Sequence, residues 1–158
     1  MEFALSEEQL MLADTVGRML DEHCDLERVR QQVAQTPAHD DALWQQLADL
    51  GLTGLLVPEA FGGAGLTLLD AMVVQEMLGR HVAPVAFLSN AVLAPLAIRS
   101  AGSEQQQQTW LPALAAGELR VAVGLSEQTG ARGNAGVFSA DGIINGRALF
   151  VLGPPDPD

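Results

Sequence analysis

The sequence predicts a mainly α fold, a helical bundle over residues 1–119 followed by a partial antiparallel β domain over residues 120–158. Three observations predict it. Apolar residues recur at helical spacing through the first part of the chain, and capping residues open several of those stretches. Near residue 120 the periodicity shifts to short apolar runs separated by glycine-rich turn signals. The chain of 158 residues is 48% hydrophobic, enough to bury a sizeable core.

Taken in order, Ser6 followed by Gln9 makes a capping box, and Leu12, Val16, Met19 and Leu20 then repeat on one helical face. A second amphipathic stretch covers residues 26–35 and ends before Pro37. Asp40 is the expected N-cap of "DALWQQLADLG", with Leu43, Leu47 and Leu50 on one stripe and Gly51 past the end. "LTGLLVPEAFGGAGL" breaks at Pro58 into a glycine-rich turn, and Thr67 caps "LLDAMVVQEMLGR", which is apolar almost all round and so central to the bundle. An equally apolar helix spans about residues 87–98. Ser103 and Gln106 open the last helix, which closes at Gly117.

After that, "RVAVGLSE", "AGVFSA" and "GIINGRALFVLG" read as short strands, with "QTGARGN", "DG" and "NG" as the turns. The chain stops at "PPDPD" after the third or fourth strand. It therefore reads as a helical domain plus the first part of a β domain, cut short.

Composition excludes several functions. A net charge of −12 argues against nucleic acid and anionic membrane as partners, since both require a basic surface. The single cysteine, Cys24, permits no intrachain disulfide and points to a reducing, cytoplasmic setting. Its acidic neighbours would raise the thiol pKa, so Cys24 is no nucleophile. His23, His39 and His81 are scattered and make no metal spacing. The opening "MEFALSEEQ" has neither the basic nor the apolar region of a signal peptide and is expected not to be one. The long apolar run at 82–98 contains two prolines, a serine and an asparagine, and reads as a buried helix rather than a membrane span.

Few residues suggest chemistry. "FGGAG", residues 61–65, tempts a phosphate-loop reading, but it lacks the Lys-Ser/Thr pair and follows no parallel strand. A helix-to-helix turn that needs positive φ is the default. Glu59 and Glu76 lie nearest to apolar sequence, yet neither shares a face with a second carboxylate or a histidine. Capping, or an ion pair of Glu76 with Arg80, is the plainer role. No residue is assigned a catalytic or metal-binding part.

Three segments carry a family resemblance. "FALSEEQLML", "LADLGLTGLLVPEAFGGAGLTLLDAMVVQEMLGR" and "GSEQQQQTWLPALAAGE" resemble, in this order, the amino-terminal part of the acyl-CoA dehydrogenase family. The resemblance implies a helical domain of that family's type ahead of a middle β domain, FAD as cofactor, and an acyl-CoA thioester oxidised between Cα and Cβ. It implies tetrameric assembly, homomeric or heteromeric, and electron-transfer flavoprotein or a similar acceptor. The glutamate base of most members lies in a segment that nothing here matches.

The family's flavin loop, "(T/S)EP..GSD", is matched by "LSEQTGARG", with Gln128 at the proline and residues 131–133 where "GSD" would stand. By resemblance Ser126 carries the hydroxyl toward the flavin, and the backbone of Leu125 and Val123 lines the ring edge. A second flavin strand, "NG.k.wItn", is matched by "NGRALFVLG". There Phe150 takes the tryptophan position and Leu152 replaces a threonine that would donate a hydrogen bond. The helix "AFLSNAVLAP" implies Phe87, Ser89, Asn90 and Leu93 as lining of the acyl pocket, or equally as core. Two further readings stay open: a non-catalytic subunit of a hetero-oligomeric dehydrogenase with degenerate flavin contacts, and a helical module that binds an acyl chain or partner helix without redox chemistry.

Overall fold

Polar residues at the helix starts decide where each helix begins. Ser6 Oγ accepts the Gln9 N–H at 3.2 Å while the Gln9 side-chain oxygen accepts the Ser6 N–H at 3.0 Å, and Ser103 with Gln106 repeats the arrangement. Asp25 and Asp40 accept the N–H groups of Arg28 and Leu43, and the Asp70 carboxylate takes both the N–H and the hydroxyl of Thr67. Each such cap is worth about 1 kcal/mol. The resulting helices are α1 (Glu7–His23), α2 (Leu26–Val33), α3 (Asp41–Asp49), α4 (Leu68–Arg80), α5 (Ala94–Ala101) and α6 (Glu104–Ala115). The computed structural model describes residues 4–35, 39–125, 136–154 and 156–158.

The expected helix over 87–98 is not one regular helix. Leu88–Leu93 is a π-helix that runs straight into α5. Its start is drawn together by side chains: Ser89 Oγ and Asn90 Nδ2 both donate to the Ala86 carbonyl at 3.0 Å, beside the Asn90 N–H at 3.1 Å. Pro95 then has no N–H to give back to the preceding turn.

Two buried clusters hold the helices. In the larger, Val16 and Leu20 of α1 meet Leu43 and Leu47 of α3, Val74 and Leu78 of α4, and Phe87 and Ala91 beside them. The smaller comprises Val57, Ala94, Leu111 and Leu114, with Leu119, Val121 and Val123 packed on its edge. It therefore lies where the helices hand over to the β segment. Buried polar side chains tie the same region: Thr53 Oγ1 donates to the Ala115 carbonyl at 2.7 Å and Trp44 Nε1 to the Gly117 carbonyl at 2.9 Å.

The turn at residues 61–66 spends its amides on its own chain. The N–H groups of Ala64, Gly65 and Leu66 donate to the carbonyls of Gly54, Val57 and Leu55, and those of Phe61, Gly62 and Gly63 to Pro58, Glu59 and Pro58. A Cβ on Gly63 would come within 2.1 Å of the Val57 oxygen. No amide in that stretch is left for a phosphate, so the loop is a structural turn.

In the β segment, β1 (Gly136–Ala140) and β2 (Ile143–Arg147) form an antiparallel hairpin. Asp141 and Gly142, at φ of 52° and 76°, make its two-residue turn, the conformation that matches strand twist. "NG", expected as a turn, instead lies inside β2, where Asn145 pairs with Phe138 and Gly146 with Val137. The "DG" turn has already reversed the chain, and at Gly146 a Cβ would strike the Gly136 oxygen, so glycine serves close strand approach there. The ends of the segment meet separately: Val123 and Leu152 exchange both N–H···O bonds, at 2.6 and 2.9 Å.

α4 ends in an unexpected way. Val82 N–H donates to the Gly79 carbonyl and Ala83 N–H to the Leu78 carbonyl, which closes the helix with a left-handed residue. That residue is Val82, at φ 53°, a β-branched side chain where glycine is usual.

Candidate functional site: a cleft between the π-helix and the β segment

The strip that follows Val82 forms one wall of two adjoining clefts. The first, about 170 Å³, lies between Gln75, Leu88 and Ser89 on the helical side and Leu152 and Gly153 opposite. The second, about 210 Å³, lies between His39, Pro84 and the pair Gly153 and Pro154. Val85, Ala86 and Gly153 belong to both. The strip is anchored from behind, where the Pro84 carbonyl accepts the Asp40 N–H at 3.0 Å.

Asp40 is itself a buried hub. Arg28 grips it through Nε and Nη2 at 2.7 and 2.9 Å, and its Oδ1 caps α3. The hydrogen-bonded guanidinium outweighs burial and holds the carboxyl below its usual range. His39 is buried next to it, and burial pushes its pKa down, so the neutral imidazole faces the second cleft at neutral pH. Behind His39, Arg120 Nη2 pairs with Asp41 Oδ1 at 2.6 Å. Cys24 is buried and free, and burial foremost, then the Asp40 charge, raises its thiol pKa.

Of the residues expected along the acyl pocket, Ser89 lines the first cleft, with its hydroxyl bonded to Ala86. Phe87 is buried in the larger cluster, and Leu93 is half-buried. Asn90 is buried and fully engaged: beyond Ala86 and Ser89, its Oδ1 accepts the Val121 N–H at 2.6 Å.

Of the flavin-side residues, Val123 and Leu152 are paired to each other, and the Leu152 side chain reaches the first cleft. Phe150 stands at positive φ with 84% of its surface exposed, beside exposed Val151. Leu125 is exposed at the far end of the same segment. Ser126, Gln128 and residues 131–133 lie outside the described residues.

The sequence reading missed Gln75, Val85, Ala86, Leu88 and Gly153 as lining of the first cleft. The structural reason for glycine at 153 is plain, since a Cβ there would come within 2.6 Å of Ala122 Cα, a close approach only glycine allows.

Every side chain lining the first cleft is uncharged, and Gln75 supplies its amide. Such a cleft suits an apolar chain with a polar group near α4. Glu76 is paired with Arg80 on the exposed face of α4, and Glu59 opens the glycine-rich turn. Among the described residues no group of three or more His, Cys, Asp or Glu is placed to hold a metal ion, and no helix is long and apolar enough to cross a membrane.

Comparison with known proteins agrees on one family. Residues 6–118 match the family described as acyl-CoA dehydrogenase, N-terminal domain. The chain is 38% identical over 99 residues to acyl-CoA dehydrogenase IpdE2 of Mycolicibacterium smegmatis, which covers 62% of this chain and 32% of that protein. Among solved structures, the ChsE4-ChsE5 complex from Mycobacterium tuberculosis superposes with a TM-score of 0.70 at 31% identity, covering 75% of this chain and 33% of that one. An acyl-CoA dehydrogenase complexed with FAD from Bacillus anthracis does so with a TM-score of 0.74 at 25% identity, covering 93% and 27%. The chain thus spans about a third of the length of the curated relatives it matches. By the match over residues 6–118, the chain belongs to the acyl-CoA dehydrogenase family.

Proposed function

We propose that this chain forms the amino-terminal part of a flavin-dependent acyl-CoA dehydrogenase, which removes hydrogen from Cα and Cβ of an acyl-CoA thioester. In this reading residues 1–119 are the helical domain and residues 120–158 begin the β domain. The observation that carries the reading is the first cleft. It joins Ser89, implied on the acyl side, to Leu152, implied on the flavin side, across a gap lined by uncharged residues.

The described residues fit one face of FAD and not its polar edge. Phe150, Val151 and Leu152 offer an exposed apolar ledge suited to a flat aromatic ring. Leu152 donates no side-chain hydrogen bond, and the N–H groups of Val123 and Leu152 are spent on each other. The remaining donor implied by resemblance is Ser126. FAD, when bound, accepts the hydride that leaves Cβ. The chain's own residues confine the acyl group: Leu88, Val85 and Ala86 exclude water, and Gln75 orients a polar group. The α-proton base is assigned to no residue of this chain.

A second reading is a subunit of a hetero-oligomer whose flavin contacts are supplied partly by its partner. Leu152 favours it, as does similarity to a structure named as a complex of two differently named chains. Both readings imply tetrameric assembly, an electron-transfer flavoprotein or similar acceptor, and a cytoplasmic setting.

Visible flavin absorbance tests them. The natural gene product carrying this chain is purified alone and together with any homologous chain encoded beside it, then mixed with acyl-CoA. Flavin in the single product, bleached by acyl-CoA, supports the self-sufficient enzyme, and flavin only in the mixture supports the paired subunit. Colourless protein in both, with FAD supplied, sinks both. Leu152→Thr is expected to tighten FAD binding roughly tenfold, the gain from one new hydrogen bond.

A further inference from the structure

Asn90 is almost wholly buried, and its amide is satisfied on every side. Two of its three contacts stay within its own turn. The third leaves the helical body, because Oδ1 accepts the backbone N–H of Val121 at 2.6 Å, 31 residues away. Val121 is two residues before Val123, which exchanges both backbone bonds with Leu152. The connection thus runs from the π-helix by one hydrogen bond to Val121, along the backbone to Val123, and by two hydrogen bonds to Leu152. Ser89, adjacent to Asn90, faces Leu152 and Gly153 across the first cleft.

Next to Val121, the Arg120 backbone N–H and carbonyl bond to Asp158 at the chain's end and its guanidinium pairs with Asp41, so among the described residues of 120–123 the Asn90 bond is the one that joins a backbone group to the helical body. Val121 and Val123 pack on the edge of the smaller apolar cluster, and apolar contact is non-directional. A slip by one residue would turn both valines away and present Ala122 and Gly124 instead. The slip also carries a steric cost, since Ala122 lies against Gly153 and Gly124 against Ala148 at distances that leave no room for a Cβ. A directional hydrogen bond to one particular N–H selects the register that the valines and the glycines both require.

We propose that Asn90 is a positioning residue. Its bond to the Val121 N–H sets the register of residues 121–123, and through the Val123–Leu152 pair it sets the width of the cleft between Ser89 and Leu152. Asn90 therefore belongs to the flavin side of the junction, not to the lining of the acyl pocket. The inference rests on the proposed function only in calling that side the flavin side.

Amide hydrogen exchange on this chain tests it. Asn90→Leu removes the acceptor and is expected to speed exchange at Val123 and Leu152 roughly tenfold or more, while amides of α3 and α4 keep their protection. Asn90→Asp retains an oxygen for the Val121 N–H and, once protonated, a donor for the Ala86 carbonyl, so protection at Val123 and Leu152 is expected to return as the pH is lowered. Val121→Pro deletes the donor and is expected to reproduce the Asn90→Leu pattern, while Val121→Ala, which keeps the N–H and loses only the apolar contact, is expected to keep the protection; the pair decides the matter should Asn90→Leu unfold the chain. Unchanged exchange at Val123 and Leu152 in Val121→Pro overturns the proposal. In the natural gene product, an FAD titration of the same variants reads the functional consequence separately. A wild type that binds no FAD counts against the flavin reading, while the exchange data still decide the role of Asn90.

Discussion

The helical body and the β hairpin draw on similar apolar residues and use them in opposite ways. In the body, Leu20, Leu43, Leu47 and Leu111 are sealed from water because each lies on a stripe that meets a neighbouring helix. In the hairpin, Phe138 is 62% and Ile144 75% exposed, and no residue of β1 or β2 is buried. Hydrophobicity alone therefore does not make a core. A two-stranded ribbon has two faces and too little surface of its own to cover either.

The largest loss is expected at Asp40, in the helical body. Asp40→Ala strips a cap from α3 and leaves Arg28 unpaired in a part-buried position, so a loss of about 3–5 kcal/mol in denaturant unfolding is expected. The same group sets an acid limit. Its folded pKa lies below the unfolded value, so its contribution is fully present above about pH 4 and is lost as the pH falls through the lower folded value. Asp40→Asn, followed against pH, should flatten that part of the acid transition; an unchanged slope counts against the Arg28 pair as its cause.

Next in size, Leu47→Ala in the sealed core should cost about 2–5 kcal/mol. At the smaller end, Val82→Gly should stabilise by about 0.5–1 kcal/mol. Relief of the left-handed strain outweighs the extra chain entropy of glycine at an exposed turn. A lower melting temperature would show that the valine side chain contributes more than its backbone costs. The smallest effect belongs to the hairpin: Ile144→Thr is expected to stay within about 0.5 kcal/mol in this chain. A loss as large as that of Leu47→Ala would mean the ribbon is buried against something in solution.

What the sequence made legible follows the same division. Ser6, Asp40, Thr67 and Ser103 announce their helices because a cap acts over three residues, and the leucine stripes point inward because the helical period is local. The family, too, was readable from contiguous segments, and residues 6–118 bear it out. The candidate site was less so. The Arg28–Asp40 grip and the Asn90–Val121 bond join residues 12 and 31 positions apart, and no periodicity marks either pair. The π-helix hides in an apolar run because its cause is side-chain bonding to Ala86, not composition. "NG" misled because turn propensity yields to a competing turn three residues upstream. Resemblance offered Asn90 as acyl-pocket lining or equally as core, and nothing in the sequence pointed to its bond with Val121.

The glycine-rich turn has a kinetic consequence. Its amides reach carbonyls no more than eleven residues back, between Leu55 and Leu66 at the widest. Closing so short a loop costs little chain entropy, and contacts of that range form early when a domain folds. By contrast, Gln9 and Asp70 bond across 61 positions to bring α1 onto α4. The turn at residues 61–66 can therefore be in place before α1 arrives, presenting α4 in its final direction. What looked like a cradle for a ligand is better understood as the early bend around which the later, longer-range packing is organised.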